Sequence, residues 1–254
     1  MLIRNPQIQS LEAAALRNFE NEMVEHLFQF ARRHSEVVGA ESVRNTARMG
    51  MERAAKYGFD NRGPVRFYIE LIAMFGMDFD TDPQYPWAAD ALRNPAIPDQ
   101  MERAERLYEA FNAYLDKAAG PENQFAIAAL RRSAEVRWED LAAPGSATGP
   151  AILRRFQALY PEKFAYVGPP ALVQLVRSAE EAAGAHGLGS GAGSALAAGL
   201  MFTMGHGFIS DPQFPWIAST LNNEAIAASN KKAERLFARM KTYLNAVLKG
   251  LEPG

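Results

Sequence analysis

The sequence predicts an all-α protein, built as an internal duplication of two homologous five-helix units packed with pseudo-twofold symmetry. Three observations support this prediction. Apolar residues recur at helical spacing through most of the chain, the alternation typical of strands is absent, and the chain matches itself at one fixed offset. We call this offset the repeat offset, and it equals the separation along the chain between Asp82 and Asp211. Without a gap, 25 of the 78 positions from 38 to 115 are identical to their counterparts.

The duplication divides the chain into a first helical unit of residues 1–119 and a second of residues 120–254. The point of division is the run Gly120-Pro121-Glu122-Asn123, a composition typical of a connection between helices. The match is strongest over positions 76–97, where 12 of 22 are identical, and it weakens before residue 38. We therefore expect extra residues in the second copy, within the stretch 142–150.

Five helices are predicted in the first unit. The second of them ends just before Gly58, as helices commonly do at glycine, and the short fourth helix begins at Pro86, a residue favoured in the first turn. The fifth carries an apolar stripe at alternating steps of three and four, which includes Met101, Ala104 and Tyr108. The predicted ranges are 11–33, 41–57, 65–77, 86–92 and 99–117.

The second unit repeats this pattern, with Gly187 in the place of Gly58. Its third helix differs, because residues 194–204 contain no charged side chain whereas the counterpart, 65–75, contains two. A helix that is apolar on every side is normally surrounded by protein. We therefore expect residues 194–204 to lie at the centre of the molecule.

The composition excludes several classes of function. The 27 Lys and Arg residues nearly balance the 29 Asp and Glu residues, which argues against a protein that binds nucleic acid through its phosphates. The chain contains no cysteine, so disulfides, thiol nucleophiles and thiolate metal sites are excluded. No secretory signal is visible at the start, and the most apolar run, 192–204, is too short to span a bilayer. We expect a cytoplasmic protein without membrane insertion.

The strongest local signal is the motif Asp-Pro-Gln-aromatic-Pro-Trp, which occurs at residues 82–87 and again at 211–216. A mechanical interpretation suffices, in which Asp82 accepts hydrogen bonds from backbone N–H groups at a turn and Trp87 is a buried anchor. Asp211 and Trp216 would have the same roles in the second copy. The alternative is that the motif forms a binding surface.

Asp78, Asp80 and Asp82 alternate in a way that is reminiscent of an oxygen-ligand loop for a hard cation. The EF-hand pattern then requires a glycine and a glutamate where this chain has Pro83 and Ala89. We therefore predict a solvated acidic turn and no metal site.

His206 replaces Met77 of the first copy in an apolar neighbourhood, which favours a core histidine over a ligand or general base. The candidates for binding are thus Asp78, Asp80, Asp82, Trp87, Asp211, Trp216 and His206. The sequence contains no His-Glu-x-x-His or Gly-x-Ser-x-Gly motif and no carboxylate–histidine pattern of a di-iron bundle. We accordingly predict no catalytic residue, no cofactor and no enzymatic activity.

The first copy also resembles a group of bacterial helical proteins encoded among type VI secretion genes. The residues that carry the resemblance are Glu52-Arg53-Ala54-Ala55-Lys56-Tyr57-Gly58-Phe59, then Phe75-Gly76-Met77-Asp78-Phe79-Asp80-Thr81-Asp82-Pro83, and Pro86-Trp87. The resemblance covers about residues 1–95. It implies a neighbourhood among secretion genes and supplies no catalytic residue.

Together these observations predict a non-enzymatic protein-interaction module, as a cytoplasmic adaptor, chaperone or immunity-type accessory protein of a type VI secretion system. Its partner would be a secreted effector or a spike component. One alternative is a helical module that binds a small molecule or a lipid between the units, near Phe202, Met204 and His206. Another is a metal-dependent hydrolase that uses Asp78, Asp80 and Asp82. The sequence does not determine the oligomeric state.

Overall fold

The computed structural model describes residues 5–226 and 228–250, and these residues form an all-helical protein, as predicted. None of them lies in a β-strand. The α-helices are α1 (Asn5–Phe30), α2 (Arg32–Val38), α3 (Ala40–Lys56), α4 (Arg62–Phe75), α5 (Pro86–Leu92), α6 (Gln100–Tyr114), α7 (Gln124–Glu135), α8 (Trp138–Ala142), α9 (Gly149–Leu159), α10 (Pro161–Val167), α11 (Pro169–Ala185), α12 (Ala192–Met204), α13 (Pro215–Leu221) and α14 (Ser229–Leu248). A π-helical turn, Leu115–Ala119, follows α6, and a 3₁₀ turn, Pro121–Asn123, precedes α7.

The helix predicted over 11–33 is divided into two. Ala31 adopts a non-helical conformation (φ −120°, ψ 50°), and α2 continues beyond it to Val38. The buried Ser35 hydroxyl donates a hydrogen bond to the carbonyl of Leu27, 2.9 Å away across the break. The same carbonyl accepts the backbone N–H of Ala31 at 2.9 Å, so the Ser35 hydroxyl links α2 to the end of α1. Residues 5–119 thus contain six α-helices, where the sequence predicted five.

The helix boundaries recur at the repeat offset seen in the sequence. Both ends of α2 correspond at this offset to the ends of α10, and the same is true of α3 and α11 and of α5 and α13. The π-helical turn ends at Ala119 and α14 ends at Leu248, and these two positions are also related by the repeat offset. α14 stays α-helical where the first unit changes to a π-turn.

Two hydrophobic cores follow the two halves of the chain. One extends from Met23 to Ala118 and the other from Ala129 to Leu244. α12 lies in the second core with ten of its thirteen residues buried. Burial of apolar side chains on this scale is the main source of stability in a helical domain.

Helices α7 and α8 occupy a stretch of the second half for which the first half has no separate pair of helices. α7 packs against α14, and α8 packs against α12. They thereby cover one side of the second core. Among the residues that the structure describes, no helix is both long and apolar enough to cross a bilayer.

Candidate functional site

The two copies of the repeated motif face each other across the boundary between the halves and form what we call the joint. The Gln84 side chain donates from Nε2 to the carbonyl of Met201, at 2.9 Å. The Gln213 side chain donates from Nε2 to the carbonyl of Ile72, also at 2.9 Å. Donors and acceptors are both related by the repeat offset, so the two bonds are reciprocal.

The motif aspartates make a second reciprocal pair of bonds in the joint. The backbone N–H of His206 donates to Oδ2 of Asp82 at 2.8 Å, and that of Met77 donates to Oδ2 of Asp211 at 2.8 Å. Each carboxylate also accepts the backbone N–H of the glutamine two residues later in its own motif. Asp82 and Asp211 therefore close a turn in one half and hold the backbone of the other.

The backbones of the two halves approach each other closely at Gly76 and Gly205, which end α4 and α12. A Cβ atom on Gly76 would lie 2.5 Å from the carbonyl oxygen of Met204, and one on Gly205 would lie 2.5 Å from that of Phe75. Both glycines have positive φ, +95° and +98°. Only glycine fits this approach without displacing backbone.

Asp78 and Asp80 lie beside the joint and are bound by Arg53 of α3. The guanidinium is 2.6 Å from Asp78 and 2.9 Å from Asp80. Asp80 also accepts hydrogen bonds from the hydroxyls of Tyr57, at 2.7 Å, and Tyr68, at 2.9 Å. Burial raises the pKa of Asp80, but these hydroxyls and Arg53 together lower it by more than burial raises it, so the net shift is downward.

The prediction of a solvated acidic turn is wrong for Asp80 and Asp82, which are only 4% and 3% exposed. The physical reason is that the guanidinium of Arg53 and the hydroxyls of Tyr57 and Tyr68 replace water around Asp80. Around Asp82, backbone N–H groups of the joint do so. Within the described ranges, no group of three or more histidine and carboxylate side chains could hold a metal ion.

His206, Trp87 and Trp216 have different surroundings. Nδ1 of His206 lies 3.3 Å from Oδ2 of Asp82, outside hydrogen-bond geometry. Burial lowers the pKa of His206, whereas Asp82, Asp78 and Asp80 together raise it by more, so the net shift is upward. Trp87 packs against Phe75 on one side of the joint, and Trp216 against Tyr243 on the other. The structure thus brings the candidate aspartates and His206 together and leaves the two tryptophans in separate aromatic clusters.

An open groove runs along the outside of the first half, between α4 and α6, with a volume of about 620 Å³. Met101 and Tyr108 of α6 line it and are 53% and 55% exposed. Phe67 of α4 packs edge-on against the Tyr108 ring, with the ring centroids 5.6 Å apart. The exposed Glu102 and Glu105 stand on the rim. We call this feature the α4–α6 groove.

The equivalent face of the second half is covered by the chain itself. At the repeat offset, Leu196 and Phe237 are the counterparts of Phe67 and Tyr108. Trp138 of α8 packs against Phe237 at a centroid distance of 5.6 Å. Leu141, also of α8, is buried and faces Leu196 and Phe237 across a space of only about 30 Å³. One face of the repeat is thus filled by α8 in one half and open in the other.

A cavity lies between the halves, near the place proposed for a small-molecule pocket. It has a volume of about 170 Å³, and its lining includes Phe202 but neither Met204 nor His206. The lining also includes the buried Lys163. Reasoning from sequence missed this residue because Pro161-Glu162-Lys163 reads as an ordinary solvated helix start. It missed the role of Trp138 because this residue lies outside positions 167–244, where the two copies match at the repeat offset.

Comparison of the chain with protein-family models, with curated proteins and with solved structures returned no match.

Proposed function

We propose that the chain is a non-enzymatic protein-interaction module that binds its partner in the α4–α6 groove. One observation carries the proposal: the equivalent face of the second half is filled by α8, whereas in the first half Met101 and Tyr108 stay more than half exposed. Exposed apolar side chains clustered in a groove mark binding sites on soluble proteins. The alternative of a hydrolase receives less support, because Arg53 already occupies Asp78 and Asp80.

The proposal includes the duplication, with units of residues 1–119 and 120–254 related by a pseudo-twofold axis. The helix boundaries that recur at the repeat offset support it. So do the reciprocal hydrogen bonds of Gln84 and Gln213. If the units are copies, a surface covered in one and open in the other is a place where the copies have acquired different functions.

The chemistry of the partner segment follows from what fills the equivalent face. α8 presents Trp138 and Leu141, three residues apart on one side of a short helix. A partner would place an aromatic and a leucine in the same register on an amphipathic helix. Glu102 and Glu105 on the rim favour basic residues at the edges of that helix.

The resemblance to helical proteins encoded among type VI secretion genes supports a partner of that system, a secreted effector or a spike component. In this proposal the chain acts in the cytoplasm as an adaptor, chaperone or immunity-type protein. A helical scaffold with a groove for a short segment suits each of these roles.

We expect the double substitution Met101→Glu and Tyr108→Glu to weaken binding of the cognate effector or spike component about 30-fold, as for loss of a hot spot worth about 2 kcal/mol. Two carboxylates would be placed in an apolar, already acidic groove. The measurement is the Kd by biolayer interferometry with purified effectors and spike components of the same gene cluster.

The matched control is Leu16→Glu, because Leu16 is 60% exposed on α1 and does not line the groove. Its Kd should stay within about twofold of the unsubstituted chain, as expected of a residue outside the interface. An equal loss for both variants would exclude the groove as the binding site. Failure of every effector and spike component to bind the unsubstituted chain would exclude a type VI secretion partner.

A further inference from the structure

The cavity between the halves has an aromatic wall from each of them. The first half contributes Phe75, Tyr85 and Tyr114, and the second contributes Tyr160 and Phe202. Its volume of about 170 Å³ is close to that of a buried apolar cavity, about 150 Å³, that holds a benzene molecule. The cavity is therefore large enough for a ligand with one aromatic ring or a short aliphatic chain.

The exposed side chains of Met74 and Asn123 also line the cavity, which places its mouth on their side. A ligand would enter there and reach the aromatic walls. Pockets of this kind occur preferentially where two structural units meet.

Lys163 supplies one positive charge to this apolar space. The residue is 3% exposed, and its Nζ donates to the Tyr85 hydroxyl at 2.9 Å and to the carbonyl of Phe202 at 2.6 Å. Both acceptors are neutral, and the ammonium also lies over the rings of Tyr85 and Phe202, 5.0 Å and 4.9 Å from their centroids. In the part of the chain that the structure describes, no carboxylate lies within 4.0 Å of this group.

A buried cation without a counter-charge is costly, and proteins normally pair such a group. Burial lowers the pKa of Lys163 to about 8, against an opposing influence of the charge on Asp82. The ammonium form therefore prevails at pH 7. An anionic ligand would supply the missing charge.

We propose that this cavity binds a small monocarboxylate, with the carboxylate on Lys163 and an apolar body of about one aromatic ring between Tyr160 and Phe202. The cavity volume limits the size of the ligand, the aromatic walls determine its apolar character, and the positive charge of the buried Lys163 determines that the ligand is an anion. This proposal does not depend on the α4–α6 groove.

The backbone departs from regular helix at the wall of the same cavity. Leu115 and Ala119, the ends of the π-helical turn, both line it, whereas the equivalent residues of α14 remain α-helical. Glu122 and Asn123, which follow, have positive φ values of 51° and 60°. π-turns and residues in such conformations concentrate at functional sites, which supports the proposal independently of Lys163.

The equivalent position in the first half has no such cation. His34 is the counterpart of Lys163 at the repeat offset, and its Nδ1 lies 2.7 Å from the Tyr243 hydroxyl. Burial lowers the pKa of His34 to about 4, so the ring is neutral at pH 7. The proposed anion site therefore belongs to one side of the molecule only.

The test uses benzoate and hexanoate as probes, with benzyl alcohol as a neutral analogue and sodium chloride as a salt control. We expect benzoate or hexanoate at millimolar concentrations to raise the Tm, because a ligand that binds the native state alone stabilises it. Isothermal titration calorimetry of the same probe gives the Kd and the stoichiometry, for which one site per chain is expected.

Two variants of the full chain separate the site from general salt effects. Lys163→Met replaces the buried cation with an apolar side chain of similar length, and it should abolish the shift caused by carboxylates. Lys56→Met changes an exposed lysine that does not line the cavity, and the carboxylates should still raise the Tm of this variant.

Two results would overturn the proposal. One is that neither carboxylate raises the Tm of the unsubstituted chain above the value in an equal concentration of sodium chloride. The other is an equal response of the Lys163→Met variant. If Lys163→Met does not fold, Tyr85→Phe is the second variant. It removes an acceptor from Lys163 and keeps the cation, and the proposal then requires that its affinity for benzoate change at least threefold.

Discussion

Gly76→Ala is expected to lower the free energy of unfolding by about 4 kcal/mol. Two costs combine in this figure. The residue has φ 95° and ψ 163°, a region that is almost exclusive to glycine. The new methyl group would also lie 2.5 Å from the carbonyl oxygen of Met204, which is backbone of the other half and has no rotamer to change. Chemical denaturation with urea measures the loss.

Gly39→Ala is the matched control, because Gly39 has nearly the same conformation, φ 86° and ψ 161°, and a Cβ there would meet nothing within 4 Å. The free energy of unfolding of the Gly39→Ala variant should fall only by the cost of the backbone conformation, about 2 kcal/mol. Gly63→Ala, in the first turn of α4 and with open space around it, should be neutral or slightly stabilising. Equal losses for Gly76→Ala and Gly39→Ala would contradict the close approach at the joint.

The all-helical fold was predictable because apolar spacing reports the face that a helix buries. The helix start at Pro86 and the end before Gly58 follow from the conformations that proline and glycine favour. The break at Ala31 was not predictable, because neither glycine nor proline stands there. The hydrogen bond that spans the break, from Ser35 to a carbonyl on the preceding helix, is a tertiary contact that local spacing does not indicate.

The candidate site was predictable only in part, because its defining contacts join distant residues. The motif indicated that Asp82 would accept a backbone N–H at its own turn, and it does. The second bond, to the backbone of His206, joins two halves of the chain, and one sequence contains no signal for it. The recurrence of the motif at the repeat offset was the only indication in the sequence that the two copies of the motif contact each other.

Burial of the acidic turn was also hidden, because Arg53 lies on a helix whose charged residues read as a solvated face. An ion pair whose two residues are separated in the chain by a whole helix cannot be recognised from local spacing. Lys163 is a second example, since the aromatic rings next to its ammonium belong to Tyr85 and Phe202, in other parts of the chain. Sequence periodicity thus identifies helices more readily than it identifies the polar residues buried between them.

Asp80→Ala is expected to lower the free energy of unfolding at pH 7 by about 3 kcal/mol. The substitution leaves Arg53 with Asp78 alone and removes the acceptor of two hydroxyls, that of the half-buried Tyr57 and that of the buried Tyr68. Breaking a buried ion pair by removal of one partner costs more than the pair contributes, because the remaining group keeps its desolvation penalty. Urea denaturation of both proteins at pH 7 gives the difference.

The control for a charge effect at the surface is Glu109→Ala. Glu109 pairs with Arg106 at 3.3 Å on α6, where the two side chains are 59% and 60% exposed. Glu109→Ala should lower the free energy of unfolding by no more than about 0.5 kcal/mol, since exposed ion pairs on a helix contribute little to stability. A loss as small as this for Asp80→Ala would show that the contacts of Asp80 with Arg53 and the two tyrosines do not stabilise the fold.

The pH dependence distinguishes loss of a carboxylate from loss of packing. The pKa of Asp80 in the folded protein is lowered by its hydroxyl donors and Arg53, in spite of its burial. The folded state therefore binds fewer protons than the unfolded state, and Asp80 stabilises the fold fully above its unfolded pKa of about 3.9. That stabilisation is lost as the pH falls through the lower folded pKa. The difference between the unsubstituted chain and Asp80→Ala should consequently shrink between pH 5 and pH 2, whereas a difference due to packing alone would stay constant with pH.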